Sequence, residues 1–574
     1  MSKYKVIAKL FDGKNLVGYE VYNISENKSI NVNLNDIKAL ALSGSLINAK
    51  YNSKTRLLTG INGYDMRKLE HKNLKTKNND TVCYVGDQAI GYAKQLTSRY
   101  SNKRYLWTDL MKYLKSDNRK VCALYGLRRT GKTVLMLQSL IDIKSKSVAY
   151  MTLTDNNSMY QVLSNVKRLV DLGVKYIFID EITEATGFIP GCALLADAYT
   201  SIGVRIVISG TSSYAIELAS RQQLYDRVIK MNTSYISYNE YSHLLGDTSV
   251  LDYIRLGGLL SADSFYNKTS AKHYIDTAIT HNIESSLEKL SSNRYADLMN
   301  LADRGLLDKA IEQAVQSSNG ELTTDVISRV YRNYDLGSAK QLLGMKFDIQ
   351  NKLDEKEITD RIRYKLRVLL NCDTEITSKH IDELSSILQE IGVFITYDKY
   401  TGKGMNRHTV YLFVQPGLRY RQTVDLIDSI CESESFRSLS RDARMELKRT
   451  IINDTEGQML EQLVLVDRLW KYMNNESITV TQYTSNGKEI DMIIQTEGGA
   501  YLYEVKRSTK VVGEQAKWLV DDSFNKEIEF NFGKILGRCV IYTGKNTDIV
   551  YKNKHIQYIN VADYLKGGKC DGII

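Results

Sequence analysis

The 574 residues include only 2 prolines, 3 tryptophans and 7 cysteines. No apolar run reaches the roughly 18 residues that would cross a bilayer, so no membrane partner is expected. No signal peptide is recognisable at the N-terminus, which leads us to expect a cytoplasmic protein. The cysteines, at 83, 122, 192, 372, 431, 539 and 570, form no C-x-x-C pair and show no matched histidine spacing. That argues against a zinc site, and an odd number lying mostly in apolar runs reads as reduced structural thiols. The 7 histidines are scattered, and each reads as a packed or solvated side chain. The proline shortage accompanies 39 tyrosines and many Lys, Asn and Ile, a compositional bias with no mechanism attached.

What is present is an ordinary globular composition, 43% apolar and 25% charged, long enough for roughly three to five domains. Net charge is +10, and residues 1–80 hold 14 Lys and Arg against 7 Asp and Glu. Most of the excess is therefore N-terminal. It is compatible with nucleic acid, although a solvated basic face is the commoner meaning of such a surplus. The same residues alternate like a small sheet over Tyr4–Phe11, Leu16–Tyr22 and Ser29–Leu34. A short helix Asp36–Leu42, a strand pair ending near Leu58 and a Lys-rich linker 67–80 follow. Partner binding, oligomerisation and nucleic-acid contact all remain open for this segment.

The most informative stretch is Val121–Val134, a buried strand (Val121–Tyr125), a loop and the start of a helix. The loop Gly126-Leu127-Arg128-Arg129-Thr130-Gly131-Lys132-Thr133 matches G-x-x-x-x-G-K-[ST]. Such a loop turns backbone N–H groups around a phosphate, and Val134 opens the helix whose N-terminus faces the anion. Lys132 is expected on the β/γ-phosphates of ATP and Thr133 on Mg²⁺. From Arg104 onward strands alternate with helices: Tyr105–Leu114, Val134–Ile143, Gln161–Leu172 and Cys192–Ile202 are expected helices. Ser147–Thr152, Lys175–Asp180 and Val204–Gly210 are expected strands, and another helix starts near Tyr214. This order implies a parallel sheet with ligands at the carboxyl ends of its strands. Tyr176-Ile-Phe-Ile-Asp180-Glu181 ends at such an edge, Asp180 to hold Mg²⁺ and Glu181 to polarise the attacking water.

The block Arg104, GLRRTGKT, YIFIDEIT, IVISGTSS, LYDRV and ISYNEY resembles the AAA-like ATPases of bacteria and archaea that carry a C-terminal restriction-endonuclease-like domain. The resemblance implies a γ-phosphate sensor at Thr211 or Ser212 and a functional arginine at Arg227, within Leu224-x-x-Arg227. Asp226 stands where that family usually has Gly, which leaves Arg227 as a sensor in cis or a finger in trans. Residues 265–365 are helical by period. Ile376–Tyr397 has a helix-turn-helix look, with Thr377 or Ser378 as cap and Gly392 as stop. Strands Val393–Tyr397 and Thr409–Val414 then flank a loop with Lys399, Lys403, Arg407 and His408, a winged helix with a basic wing.

A second constellation lies near the C-terminus. Glu461 sits on the helix Gly457–Tyr472, Asp491 on a strand, and Glu504-Val505-Lys506 on the next. Period-2 alternation puts Glu504 and Lys506 on one face, with Val505 turned to the core. This set resembles the PD-(D/E)XK nucleases. The resemblance implies Mg²⁺, or Mn²⁺, on Asp491, Glu504 and the Val505 carbonyl, with Lys506 on the attacking water and Glu461 serving the water or a second ion.

The expected fold is a multidomain α/β chain. It comprises a small α+β domain with a basic linker (1–80), an AAA-like P-loop ATPase (81–248), a helical domain (249–370), a winged-helix-like domain (371–440) and a PD-(D/E)XK-like domain (441–574). The expected function is ATP hydrolysis coupled to a nuclease-like domain acting on nucleic acid, DNA foremost, in a homo-oligomer if Arg227 works in trans. The rival is an ATP-switched regulatory or scaffold protein whose nuclease fold is inactive and only binds DNA or a protein.

Overall fold

The computed structural model describes the backbone of 2–12, 15–23, 28–33, 46–52 and 57–64, then 82–260, parts of 279–315, 376–432 and 441–568. The expected helix at 36–42, the linker 67–80 and most of the helical stretch 265–365 lie outside the described residues. The chain divides into two compact units, Met1–Asn79 and Asp80–Ile574. The first is an antiparallel sheet of β1 (Ser2–Asp12), β2 (Asn15–Asn23), β3 (Lys28–Asn33), β4 (Leu46–Asn52) and β5 (Leu57–Tyr64). Its strand order is β3-β2-β1-β4-β5, so the last pair runs on to Tyr64 and does not end near Leu58.

The second unit opens with β6 (Val82–Val85) and α1 (Asp87–Thr97), then α2 (Leu106–Lys115), β7 (Val121–Tyr125) and α3 (Lys132–Asp142). After β8 (Val148–Thr152) comes α4 (Met159–Asp171), whose N-terminus is closed by a Ser158–Gln161 capping box. There follow β9 (Tyr176–Asp180), the single turn α5 (Phe188–Gly191), β10 (Arg205–Gly210), α6 (Ser213–Gln222) and β11 (Val228–Asn232). The sheet order is β11-β7-β10-β9-β8-β6, parallel except for the edge strand β6. Strands covered on both faces read as continuous apolar runs, and all six residues of β10 are buried. The helix expected over Cys192–Ile202 is instead a π-helical segment Leu195–Tyr199 and a 3₁₀ turn Thr200–Ile202. Gly187, Pro190 and Gly191 lie just upstream and keep the regular helix to one turn.

From β11 the chain passes through α7 (Tyr238–Leu245) and α8 (Val250–Leu256), with α9 (Ala296–Asp303) described beyond. Then come α10 (Ser378–Glu390), capped by Thr377 and not by Ser378, and the hairpin β12 (Phe394–Thr401) and β13 (Asn406–Phe413). Helices α11 (Pro416–Glu432) and α12 (Arg441–Tyr472) lead into β14 (Thr479–Ser485), β15 (Lys488–Thr496) and β16 (Gly499–Lys506). The chain closes with α13 (Asp522–Phe532), β17 (Ile535–Tyr542), β18 (Thr547–Tyr551), β19 (Lys554–Asn560) and α14 (Val561–Leu565).

The hairpin expected as a basic wing is the edge of the C-terminal sheet, ordered β13-β12-β14-β15-β16-β17-β19-β18. Strand β12 pairs in parallel with β14, so residues 371–440 share a sheet with residues 441–574. Two of the wing's cations are engaged: Lys399 pairs with Glu489 at 2.8 Å and Arg407 with Asp398 at 2.8 Å. Helix α12 starts well before the expected Gly457 and carries that glycine in its interior. A mid-helix glycine costs about 1 kcal/mol, which burial of the neighbouring Met459, Leu460, Leu463 and Val464 outweighs. Tyr235, Tyr253 and Ile254 from the ATPase side share one apolar core with Leu460, Val464 and Tyr503. The two sheets are therefore joined by packing.

Candidate functional site

The carboxyl ends of β7, β9 and β10 are brought level by the register, Gly210 opposite Tyr125 and Ile208 opposite Ile179. At that edge a cavity of about 520 Å³ is lined by Arg128, Arg129, Gly131, Lys132, Thr133, Val134, Glu181, Glu184, Thr211 and Leu260. Gly131 turns at φ 85°, a left-handed conformation that glycine takes without penalty, and α3 begins at the next residue. Of the loop residues expected around phosphate, Gly126, Leu127 and Thr130 stand behind the cavity wall. The Gly126 N–H donates to Ser213 Oγ (2.9 Å) and the Leu127 N–H to Ser234 Oγ (3.2 Å). The Thr130 hydroxyl donates to the Leu127 carbonyl at 2.8 Å. Lys132 Nζ donates to the Gly126 and Leu127 carbonyls at 2.8 and 2.9 Å. Burial pushes its pKa down to about 8, with the Glu181 and Asp180 charges pulling the other way.

The Asp180 carboxylate is held by three hydroxyls. It accepts from Thr133 (2.7 Å), Tyr150 (2.9 Å) and Ser209. A carboxylate and a threonine hydroxyl in direct contact form a hard oxygen pair that suits Mg²⁺. Glu181 sits at φ 59°, a strained setting for a non-glycine residue, and accepts the Thr211 N–H at 3.1 Å. Burial and the adjacent Asp180 raise its pKa, while Lys132 and Thr211 oppose the rise. It is a carboxylate shifted toward the pH at which a general base works best. Thr211 lines the cavity, whereas Ser212 is buried and caps α6 through Ala215. Of the two expected sensors, Thr211 has the position.

Arg227 is not among the residues around this cavity. It forms an ion pair with Asp197 at 3.1 Å and is half exposed. It immediately precedes Val228, which pairs with Val121 at the far end of β7, roughly 13 Å below Tyr125 at 3.3 Å per residue. Within one chain it cannot act as a sensor at the γ-phosphate.

Two contributors were not singled out from sequence: Glu184, whose carboxylate accepts from the Thr211 hydroxyl (3.3 Å), and Tyr150; Arg104 opens the block that carries the family resemblance, with no role attached to it there. Arg104 is 4% exposed and donates to both oxygens of buried Glu240, to the Thr130 carbonyl, and to the Thr233 and Tyr235 carbonyls. It thereby clamps the back of the phosphate loop to α7. Arg104→Ala would leave Glu240 buried without its cation, and we expect a loss of about 3–5 kcal/mol in denaturant unfolding. The sequence signals were its place at the head of the resemblance block and just before an amphipathic helix; its partner Glu240 lies in ISYNEY, the last element of the same block.

The acidic residues near the C-terminus converge at the end of the β15–β16 ladder. Met492 pairs with Tyr503, so Asp491 and Glu504 are the next residues on the two strands. Lys506 Nζ lies 3.1 Å from Glu504 Oε2 and 3.4 Å from Asp491 Oδ2, and the Val505 N–H donates to Asp491 Oδ2 at 2.8 Å. Val505 itself is in the core. Glu504 is only 3% exposed, so this is a buried cluster and no surface salt bridge. Burial and the Asp491 charge hold the Glu504 pKa well above the carboxylate range. Lys506 is held above its usual value by Asp491, Glu504 and Glu461, despite its burial. Glu461 on α12 is thus electrostatically part of the cluster. Among the described residues, no three His, Cys, Asp or Glu side chains close on a single metal position. Two carboxylates and a carbonyl are what Mg²⁺ commonly takes from protein, with water or phosphate completing the shell. Among the described residues no helix is long and apolar enough to cross a membrane.

Comparison with known proteins agrees with the first of these sites. The AAA domain family matches residues 118–242, and a domain of unknown function (DUF4143) matches residues 456–564. No curated protein matches the chain. Among solved structures it is similar to the Aeropyrum pernix Orc1 protein in complex with DNA, at 15% identity over 57% of this chain and 93% of that one, TM-score 0.20. It is also similar to AMPPCP-bound DnaA from Aquifex aeolicus, at 13% identity over 52% and 86%, TM-score 0.22. Scores this low establish no shared overall arrangement. The chain contains an AAA-type P-loop ATPase domain, joined to a second domain built on its own sheet.

Proposed function

We propose that this protein binds and hydrolyses ATP with Mg²⁺, and that its nucleotide state governs a metal-dependent, nuclease-like site acting on nucleic acid, DNA in the first instance. The observation that carries the second half is the meeting of Asp491, Glu504 and Lys506 at one strand end, with Glu461 on α12 close enough to act on Lys506 electrostatically. A buried carboxylate driven toward its protonated form, beside a second, partly buried one, is a placement that a divalent cation relieves. When bound, Mg²⁺ or Mn²⁺ would polarise a phosphodiester and stabilise charge on its oxygens. Asp491, Glu504 and the Val505 carbonyl would hold the ion, and Lys506 would orient the attacking water.

Incubating the purified protein with plasmid in Mg²⁺ or Mn²⁺, with and without ATP, tests this directly. Metal-dependent nicking that responds to ATP is the expected result. Intact plasmid under every condition, from a preparation that hydrolyses ATP, would favour the regulatory reading instead. That reading has its own support, because Lys506 and the Val505 N–H already satisfy the carboxylates from within the chain.

Arg227 acts in trans in this scheme, as a finger supplied to a neighbouring protomer. Its ion pair with Asp197 is exposed and cheap to exchange. Arg227→Ala should keep nucleotide affinity and lose about 10³-fold or more in hydrolysis. In the wild type, activity per protomer should rise with protein concentration. Activity strictly proportional to protein through the monomer range would rule out the trans role.

A further inference from the structure

We infer that Glu456 is the positioning residue through which nucleotide binding reaches the acidic site. The inference rests on the proposed nucleotide and acidic sites and names the physical link between them. Glu456 is on α12 and is 2% exposed. Its two carboxylate oxygens are taken by two different arginines. Oε1 accepts from Arg255 Nε (2.8 Å) and Nη2 (2.6 Å), and Oε2 faces Arg507 Nη2 at 2.9 Å.

Each arginine belongs to one of the two sites. Arg507 directly follows Lys506, and its Nη1 also donates to the Asn453 carbonyl (3.0 Å) and side chain (2.6 Å). The end of β16 is thus tied to α12 beside the cluster. Glu461 is five residues further along α12, about 7.5 Å by helix rise, so a shift of Glu456 along the helix axis carries Glu461 with it.

Arg255 is on α8, and the chain leaves α8 directly into the nucleotide cavity. The Leu260 N–H donates to the Arg129 carbonyl at 2.9 Å, and Leu260 Cδ1 is 3.1 Å from where a Cβ on Gly131 would stand. Between them, Gly258 at φ 99° packs so closely on Gln415 that a Cβ would meet it at 2.8 Å. The Gln415 side chain and the Gly417 N–H hold the Gly258 and Gly257 carbonyls. This segment is fixed to α11 and does not absorb movement as a slack loop would.

The phosphate loop has reason to change shape. Lys132 Nζ is bound to the Gly126 and Leu127 carbonyls, and a triphosphate would draw it off them. Arg129, in the same loop at φ 65°, presents the carbonyl that holds Leu260. A change there moves Leu260, α8 and Arg255. Glu456 passes the movement to Arg507 and α12, which set the spacing of Lys506 and Glu461. A buried carboxylate shared by two cations suits this role, since neither arginine can move without leaving an unpaired charge behind.

The test is hydrogen exchange on the full chain, with and without a non-hydrolysable ATP analogue and Mg²⁺. In the wild type, peptides covering Glu461 and Glu504–Arg507 should change exchange rate by about fivefold or more on analogue binding. Glu456→Gln should bind the analogue within about threefold of wild type yet lose that C-terminal response. Glu456→Asp, which keeps the charge on a shorter arm, should restore part of it. Arg255→Gln removes the link from the half-exposed side and should reproduce the loss even if Glu456→Gln folds poorly. A C-terminal response that persists in Arg255→Gln and Glu456→Gln, or is absent from nucleotide-bound wild type, would overturn the inference. Failure of the wild type to bind the analogue would instead bring down the ATP reading beneath it.

Discussion

Replacing Glu181 by Gln should lower ATP hydrolysis by about 10²–10⁴-fold while nucleotide affinity stays within a few-fold of wild type. The amide keeps the shape and can still accept the Thr211 N–H, so the strained backbone at φ 59° loses no anchor. What would disappear is the basic oxygen expected to polarise the attacking water. Burial and Asp180 raise its pKa, which makes it a stronger base than an ordinary carboxylate. Lys132→Ala is the contrasting change. It removes a cation that is now folded onto the Gly126 and Leu127 carbonyls and would turn to the β/γ-phosphates, so both binding and hydrolysis should be lost. Titration calorimetry separates the two variants, one binding without turnover and the other not binding. Wild-type affinity in Lys132→Ala would end the phosphate-loop assignment.

The chemistry at this site was legible because it is local. GLRRTGKT fixes its own turn through Gly131, and four apolar residues ending in Asp180-Glu181 can only be a buried strand meeting a polar edge. Strand β7 occupies the expected residues, and β8, β9 and β10 differ by one at the start. Strand β6 went unread because four half-buried residues carry neither alternation nor a long apolar run. Helix α1 after it has Gly91 in its interior, which weakens the helical signal.

Features that depend on distant contacts were harder. The pairing of β12 with β14 brings together residues some eighty positions apart, and a hairpin with basic residues looks the same in sequence whether it stands free or closes a sheet. The clamp of Arg104 on Glu240 spans 136 positions, and the bridge of Glu456 to Arg255 spans 201. No periodicity signals a buried charge whose partner is that far along the chain. Arg227 shows the opposite failure. A short motif suggested two roles, and only the strand register decides that the residue is at the wrong end of the sheet for one of them.

The double variant Asp491→Asn/Glu504→Gln should abolish metal binding at the acidic cluster and with it any cleavage, while leaving DNA affinity equal or higher. Affinity should not fall because fewer negative charges would face the phosphates. Loss of stability cannot serve as the readout. Glu504 is buried against Lys506, so even a purely structural cluster would lose several kcal/mol on truncation, well above the cost of a surface pair. Mn²⁺-dependent stabilisation is the better measure, taken without nucleotide on the full chain. The whole chain is needed because a fragment beginning near Thr450 would lose β12, the parallel neighbour of β14. At a hundred times its dissociation constant, Mn²⁺ should add about 2.7 kcal/mol to wild-type stability and nothing to the double variant. Lys506→Gln separates coordination from water activation. It leaves both carboxylates and removes a competing cation, so Mn²⁺ should bind at least as tightly while cleavage is lost. Equal and negligible stabilisation of wild type and double variant would leave Asp491, Glu504 and Lys506 as a self-neutralised structural cluster, and the protein as an ATP-driven switch without a nuclease.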